Sequence, residues 1–153
     1  EEDDLQTYSQ LMDFVAMGLG GHAAEQLYLG EFTTGATSDL KKATEVCRRM
    51  VTQFGMSEKL GAIAYGSESD EIFLGRSMAQ ARTYSEEVAA QIDQEVKDIV
   101  DRAHARCRDI LTQHRHQLDI TARYLLDHET MDAQTFDHVF TQPDDPELAG
   151  YQE

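Results

Sequence analysis

Val88, Ile92, Val96, Ile99, Val100, Ala103, Cys107, Ile110 and Leu111 recur mostly three or four residues apart, and only an α-helix gathers such positions onto one face. This is the strongest periodicity in the chain. Ser85 stands where a helix N-cap belongs, and Glu86 and Glu87 complement the positive end of the helix dipole. A helix over residues 85–113 is about 43 Å long at 1.5 Å per residue. Such a rod needs a partner. Leu118, Ala122, Leu125 and Leu126 offer one, joined through the polar stretch His114 to Gln117, so the pattern predicts an antiparallel helical pair.

Leu5, Tyr8, Leu11, Met12, Val15, Leu19, Ala23 and Leu27 form another helical stripe, with Thr7 and Gln10 spaced for a capping box at its start. Gly20 and Gly21 fall within it and are read as a close approach of another backbone rather than a break; Gly30 is the stop. A loop rich in Thr and Gly over 31–37 leads to a further stripe, Leu40, Ala43, Val46, Cys47, Met50, Val51 and Phe54, closed by Gly55. Residues 56–84 read as mostly irregular, with Ile63-Ala64-Tyr65 and Ile72-Phe73-Leu74 compatible with a minor two-stranded element in 60–75. Phe136, Val139 and Phe140 make a last short helix begun near Asp132, and residues 142–153 read as a polar, flexible tail. The expected architecture is all-α: a long antiparallel helical pair packed on two shorter helices within one domain over 1–141.

Thirty-two of the 153 residues are Leu, Ile, Val or Phe, just above the level of about 20% below which a highly charged chain stays disordered. Thirteen Lys and Arg stand against 29 Asp and Glu, for a net charge of -16. Nucleic-acid phosphates and anionic lipid are repelled by that balance. No apolar run approaches the roughly 20 residues that cross a bilayer, so direct membrane contact is not expected. The acidic runs at both ends read as solvated surface. Cys47 and Cys107 lie on apolar stripes, where cysteine acts as a small hydrophobe, and are expected to be buried and reduced. With no Met at its head and the run Glu1-Glu2-Asp3-Asp4, the chain is expected to be a piece of a longer polypeptide.

Periodicity names no reaction. Several blocks in register do more: Gly20-Gly21-His22-Ala23-Ala24-Glu25, then Thr33-Thr34-Gly35-Ala36-Thr37-Ser38-Asp39-Leu40, then Arg48-Arg49-Met50-Val51, Phe54-Gly55-Met56-Ser57 and Leu60-Gly61, Phe73-Leu74-Gly75-Arg76, and Tyr84-Ser85-Glu86-Glu87. In order and spacing, over about Leu5 to Phe140, they resemble the peptidase domain of the FtsH family of membrane-anchored, ATP-dependent zinc metalloproteases. The resemblance implies a homo-hexameric parent that degrades unfolded, membrane and soluble proteins, with zinc in the complete peptidase domain and ATP at a separate ATPase domain. It places the parent in a membrane, with this domain on the cytoplasmic side or in an organelle.

By the same resemblance Asp39 is the third zinc ligand. Read from the residues alone, Asp39 is an acid in the first turn of a helix, stabilised by the dipole and unpaired N–H groups; the two readings are compatible. A catalytic zinc also takes the two histidines of His-Glu-x-x-His, with the Glu as general base. No such motif occurs in the 153 residues. The nearest string, His128-Glu129-Thr130-Met131-Asp132, has Asp in place of the second His and straddles an expected helix boundary. The chain alone is therefore expected to lack catalytic residues, to hold no zinc and to be inactive.

Other readings rest on other residues. His104 and Cys107, three apart on one helical face, offer the beginning of an independent metal site, although no further ligands are evident. His114 and His116, two apart, point in different directions on a helix. His22 stands where the family usually has Arg and reads as a hydrogen-bonded core or interface histidine. A non-catalytic helical interaction module, with Asp39 only capping a helix, is the alternative to a protease scaffold.

Overall fold

The computed structural model describes residues 5–66 and 83–152. Six α-helices and two 3-10 helices account for the regular structure among them, and no strand occurs there. The all-α expectation is met. Residues 63–65 are irregular, and Ile72-Phe73-Leu74 lies outside the described residues, as does the block Phe73 to Arg76. Two compact units divide the chain, Glu1–Arg108 and Asp109–Glu153.

In the first unit, α1 (Tyr8–Gly18) opens with the expected capping box: the Gln10 N–H donates to Thr7 Oγ1 at 3.2 Å and the Thr7 N–H to Gln10 Oε1 at 2.8 Å. The stripe from Leu5 to Leu27 is not one helix. At Leu19 the backbone leaves the helical path (φ -86°, ψ -3°), its N–H shared between the Val15 and Ala16 carbonyls, and α2 (Gly20–Leu29) follows. Three glycines of low helix propensity surround this residue, and the kink buries Leu19 while Gly30, at φ 69°, ends α2. Gly20 and Gly21 mark no close approach, since a Cβ on either would meet nothing within 4 Å. The contact is at Gly18 instead, where a Cβ would sit 3.6 Å from Ala43 Cβ and 3.8 Å from the Asp39 carbonyl oxygen.

A 3-10 turn (Thr34–Ala36) feeds α3 (Thr37–Thr52), and α1 packs chiefly on α3. Ser85 Oγ accepts the Val88 N–H at 3.2 Å at the head of α4 (Glu86–Gln113), as expected. From Ile92 to Ala103 the buried stripe of α4 packs with Val15 of α1, Leu19 at the kink, and Ala43, Cys47 and Val51 of α3. The rod thus finds its partners in the helices that precede it in sequence. Ties at its surface include Arg106 to Asp13 at 2.6 Å, and Ser57 Oγ, which donates to Glu95 Oε2 at 2.7 Å.

The second unit holds α5 (Arg115–His128), α6 (Ala133–Thr141) and a closing 3-10 helix (Pro146–Tyr151). α5 packs on both of the others. Asp132 caps α6, its Oδ1 accepting the Thr135 N–H at 2.7 Å, a bond that holds the carboxyl below its ordinary value. Ile120, Val139 and Leu148 form the core, flanked by Met131, Phe140 and Tyr151. The segment read as a polar tail carries Leu148, whose burial draws 146–151 onto α5, where Arg123 donates to the Tyr151 carbonyl at 3.0 Å.

Candidate functional site

The loop that leads to Asp39 is fixed from α2. Glu25 Oε2 accepts the Thr33 N–H at 3.1 Å while Thr33 Oγ1 donates to Glu25 Oε1 at 2.6 Å, and these bonds hold the Glu25 carboxyl below its ordinary value. Thr33 Oγ1 in turn accepts the Gly35 N–H at 3.1 Å. A Cβ at Gly35 would stand 3.2 Å from Thr33 Oγ1 and 3.4 Å from Glu25 Oε1, so glycine is what lets the chain pass this close. Thr37 Oγ1 completes the corner by donating to the Thr34 carbonyl at 2.7 Å. Both anchors of this loop belong to the family-like blocks, yet the sequence reading assigned no role to Glu25. Its signal was the pairing of those blocks, eight residues apart.

Asp39 follows in the first turn of α3, with an exposed carboxylate. Beside it lies a hollow of about 260 Å³ lined by Phe14, Met17, Gly18, Lys42 and Ala43. Phe14 is 42% exposed and Met17 72%, so the rim is apolar surface open to solvent. Among the described residues, Asp39 belongs to no group of three His, Cys, Asp or Glu that could hold a metal ion. The geometry presents a single oxygen donor on a rigid corner. By itself that is one ligand, not a coordination shell.

The remaining histidines and cysteines separate. His22 Nδ1 and His104 Nε2 meet at 3.1 Å, half-buried, and the His22 ring stacks on Phe32 with centroids 4.2 Å apart. His22 is therefore a hydrogen-bonded interface histidine, joined to a partner 82 residues away that no local pattern reveals. Cys47 and Cys107 are free and buried; burial pushes the Cys47 thiol up to about 11 and raises that of Cys107, so both are poor nucleophiles and poor metal ligands at neutral pH. His104 and Cys107 are joined by no third ligand among the described residues. In the His128–Asp132 string, α5 ends at His128, Glu129 takes φ 62°, and α6 starts at Ala133, so no single helix face carries it. His114 and His116 diverge as expected: the His114 ring lies against Phe140 and His116 Nε2 pairs with Asp144 at 3.2 Å.

Another hollow, of about 870 Å³, is lined by residues that include Tyr8, Ser57, Lys59, Glu95 and Arg102. Ser57 is no nucleophile there. Its hydroxyl donates to the Glu95 carboxylate and accepts the Leu60 N–H at 3.3 Å, so both its proton and a lone pair are engaged in structural bonds.

The histidine pair makes stability depend on pH. Burial lowers the His104 pKa below the ordinary 6.5, with the His22 and Arg108 charges adding to the shift and Asp101 opposing it. The unfolded chain then binds more protons than the folded one between that lowered value and 6.5, so stability is full above this window and falls as pH drops through it. Thermal melts between about pH 7.5 and 5.5 should show a shallower decline for His104→Gln than for the parent. Parallel declines would remove the assignment.

Residues 1–139 match the pattern of peptidase family M41. The chain is 49% identical over 131 residues to the "ATP-dependent zinc metalloprotease FtsH" of Kosmotoga olearia, covering 86% of this chain and 20% of that protein. To the protein of the same name from Ruminiclostridium cellulolyticum it is 44% identical over 140 residues, 92% of this chain and 23% of the relative. The Mycobacterium tuberculosis counterpart is 45% identical over 140 residues, 92% and 18% respectively. The chain thus spans about a fifth of the length of the curated relatives it matches. With an Asp-bearing helical corner held by Glu25, Thr33 and Gly35, and with this match over nine-tenths of its length, the chain belongs to peptidase family M41.

Proposed function

We propose that these residues are the helical body of the peptidase domain of an ATP-dependent zinc metalloendopeptidase, with Asp39 as the third zinc ligand. The observation that carries this reading is the exposed Asp39 carboxylate on a corner fixed by the Glu25–Thr33 bonds, beside an apolar rim. A lone oxygen donor suits a shared site: the chain brings one ligand, and the two imidazoles and the general base come from a His-Glu-x-x-His segment outside these 153 residues. When bound, the zinc supplies an activated water and polarises the scissile carbonyl. The work of this chain is to position. Glu25, Thr33 and Gly35 fix the corner, α3 carries Asp39, and Phe14 and Met17 offer apolar surface on which the segment with the other ligands can pack.

In this reading the substrates are proteins, the working assembly is a homo-hexamer, and ATP is used at a domain outside these residues. The membrane anchor lies outside them too; no described helix is long and apolar enough to cross a membrane. The reading is tested by incubating the 153-residue chain with casein, zinc and ATP. No cleavage is expected, because base and imidazole ligands are missing. Robust, chelator-sensitive cleavage by the pure chain would overturn the division of ligands.

A further inference from the structure

A group of potential metal ligands lies in the second unit, apart from Asp39, among residues that the protease reading does not use. His138 is in the last turn of α6, and the chain then turns back, the Asp145 N–H donating to the Gln142 carbonyl at 3.1 Å. Asp145 caps the closing 3-10 helix: its Oδ1 accepts the Glu147 N–H at 2.9 Å, and Pro146 fixes the first position of that helix. The other oxygen, Oδ2, is left 3.2 Å from His138 Nε2. One carboxylate oxygen of Glu147 completes a set of three ligand atoms that all lie within 4.8 Å of one another.

The imidazole nitrogen in this group is unsatisfied. His138 Nε2 is buried and takes no hydrogen bond, although Asp145 Oδ2 is within reach, so the oxygen lies off the direction in which the ring nitrogen bonds. An orphaned buried polar atom costs free energy unless something else meets it. Two ligands at about 2.0–2.1 Å from a tetrahedral ion stand about 3.3 Å apart, close to the separation found here. Exposed Glu147 is free to swing inward and close the third position. The neighbouring Asp144 is engaged elsewhere, on His116.

We infer that His138, Asp145 and Glu147 form a binding site for a divalent transition-metal cation of the zinc class, which clips the end of α6 to the closing 3-10 helix. One imidazole and two carboxylates suit zinc or its neighbours better than calcium or magnesium, which take oxygen ligands alone. A cation there stabilises the second unit by binding only its folded form.

The test is a titration of the 153-residue chain with zinc chloride, followed by the ring ¹⁵N resonances of the histidines and by calorimetry. A saturable site is expected in which the His138 Nε2 resonance moves, with affinity lowered at least about tenfold by Glu147→Gln and lost in His138→Gln. Glu147 is exposed, so its substitution leaves the fold in place. His22→Gln serves as the control for the other histidine pair and should leave the His138 response unchanged. An unmoved His138 resonance at saturating zinc overturns the inference. So does binding that Glu147→Gln leaves intact, or that His22→Gln abolishes; an ordinary His138–Asp145 ion pair would then suffice.

Discussion

Asp39→Asn should abolish proteolysis in a chimera that carries residues 5–140 of this chain in place of the matching stretch of the Kosmotoga olearia relative. The expected loss is at least about 100-fold in casein cleavage, with ATP hydrolysis unchanged. A metal bound by three protein ligands loses both affinity and geometry when one is neutralised, and changes even to the groups that orient a ligand cost about 10–100-fold. Asn keeps the volume of Asp and its place in the first turn of α3 but offers a neutral amide in place of the carboxylate. The helix-capping reading of Asp39 predicts something else: loss of a dipole interaction worth about 0.3–1 kcal/mol, a slightly lower melting temperature, and protease activity retained. The two outcomes differ by orders of magnitude, and the ATPase rate reports whether the chimera has folded. Full proteolysis by the Asn variant would leave Asp39 with the capping role alone.

How far this site could be read from the residues follows from the range of the interactions that build it. Local signals worked: the Thr7–Gln10 box, the Ser85 and Asp132 caps and the Gly30 stop each depend on residues within a turn of one another. The stripe of α4 was legible for the same reason, since periodicity is a property of a single helix. Its partner was not. Leu118 to Leu126 and the α1 and α3 stripes are all apolar faces of similar quality, and nothing in a one-dimensional pattern tells which of them meets Ile92 and Val96. The glycines near Leu19 failed similarly. Composition marked a special place, but whether Gly18 or Gly20 faces another helix depends on a kink of one residue, and the structure puts Gly18 against Ala43. The His22–His104 pair and the His138–Asp145–Glu147 group depend on tertiary placement, and the proposal of Asp39 as a zinc ligand rests on family resemblance, not on any local pattern.

Leu19→Ala and Ile120→Ala should each cost about 2–5 kcal/mol, the range for truncating a large aliphatic side chain in a packed core. The two losses should register in different places. Leu19 is 1% exposed at the kink between α1 and α2 and belongs to the cluster with Val15, Cys47 and Val96. Ile120 is fully buried in a cluster that, among the described residues, has Val139 and Leu148 as its other buried members, so its cavity has few neighbours able to relax into it. Leu126→Ala, at 83% exposure, is the control and should change stability by no more than about 0.5 kcal/mol. Chemical denaturation gives the magnitudes, and residue-resolved hydrogen exchange gives the location. Leu19→Ala should strip protection from α1, α3 and the Ile92–Ala103 stretch of α4 first, and Ile120→Ala from α5 and α6 first. Because each cluster draws its buried side chains from within one unit, a cavity in one removes contacts only from the helices around it. Uniform loss of protection along the chain in both variants would mean that the two cores unfold as one, and the division at Arg108 would then be geometric without being energetic.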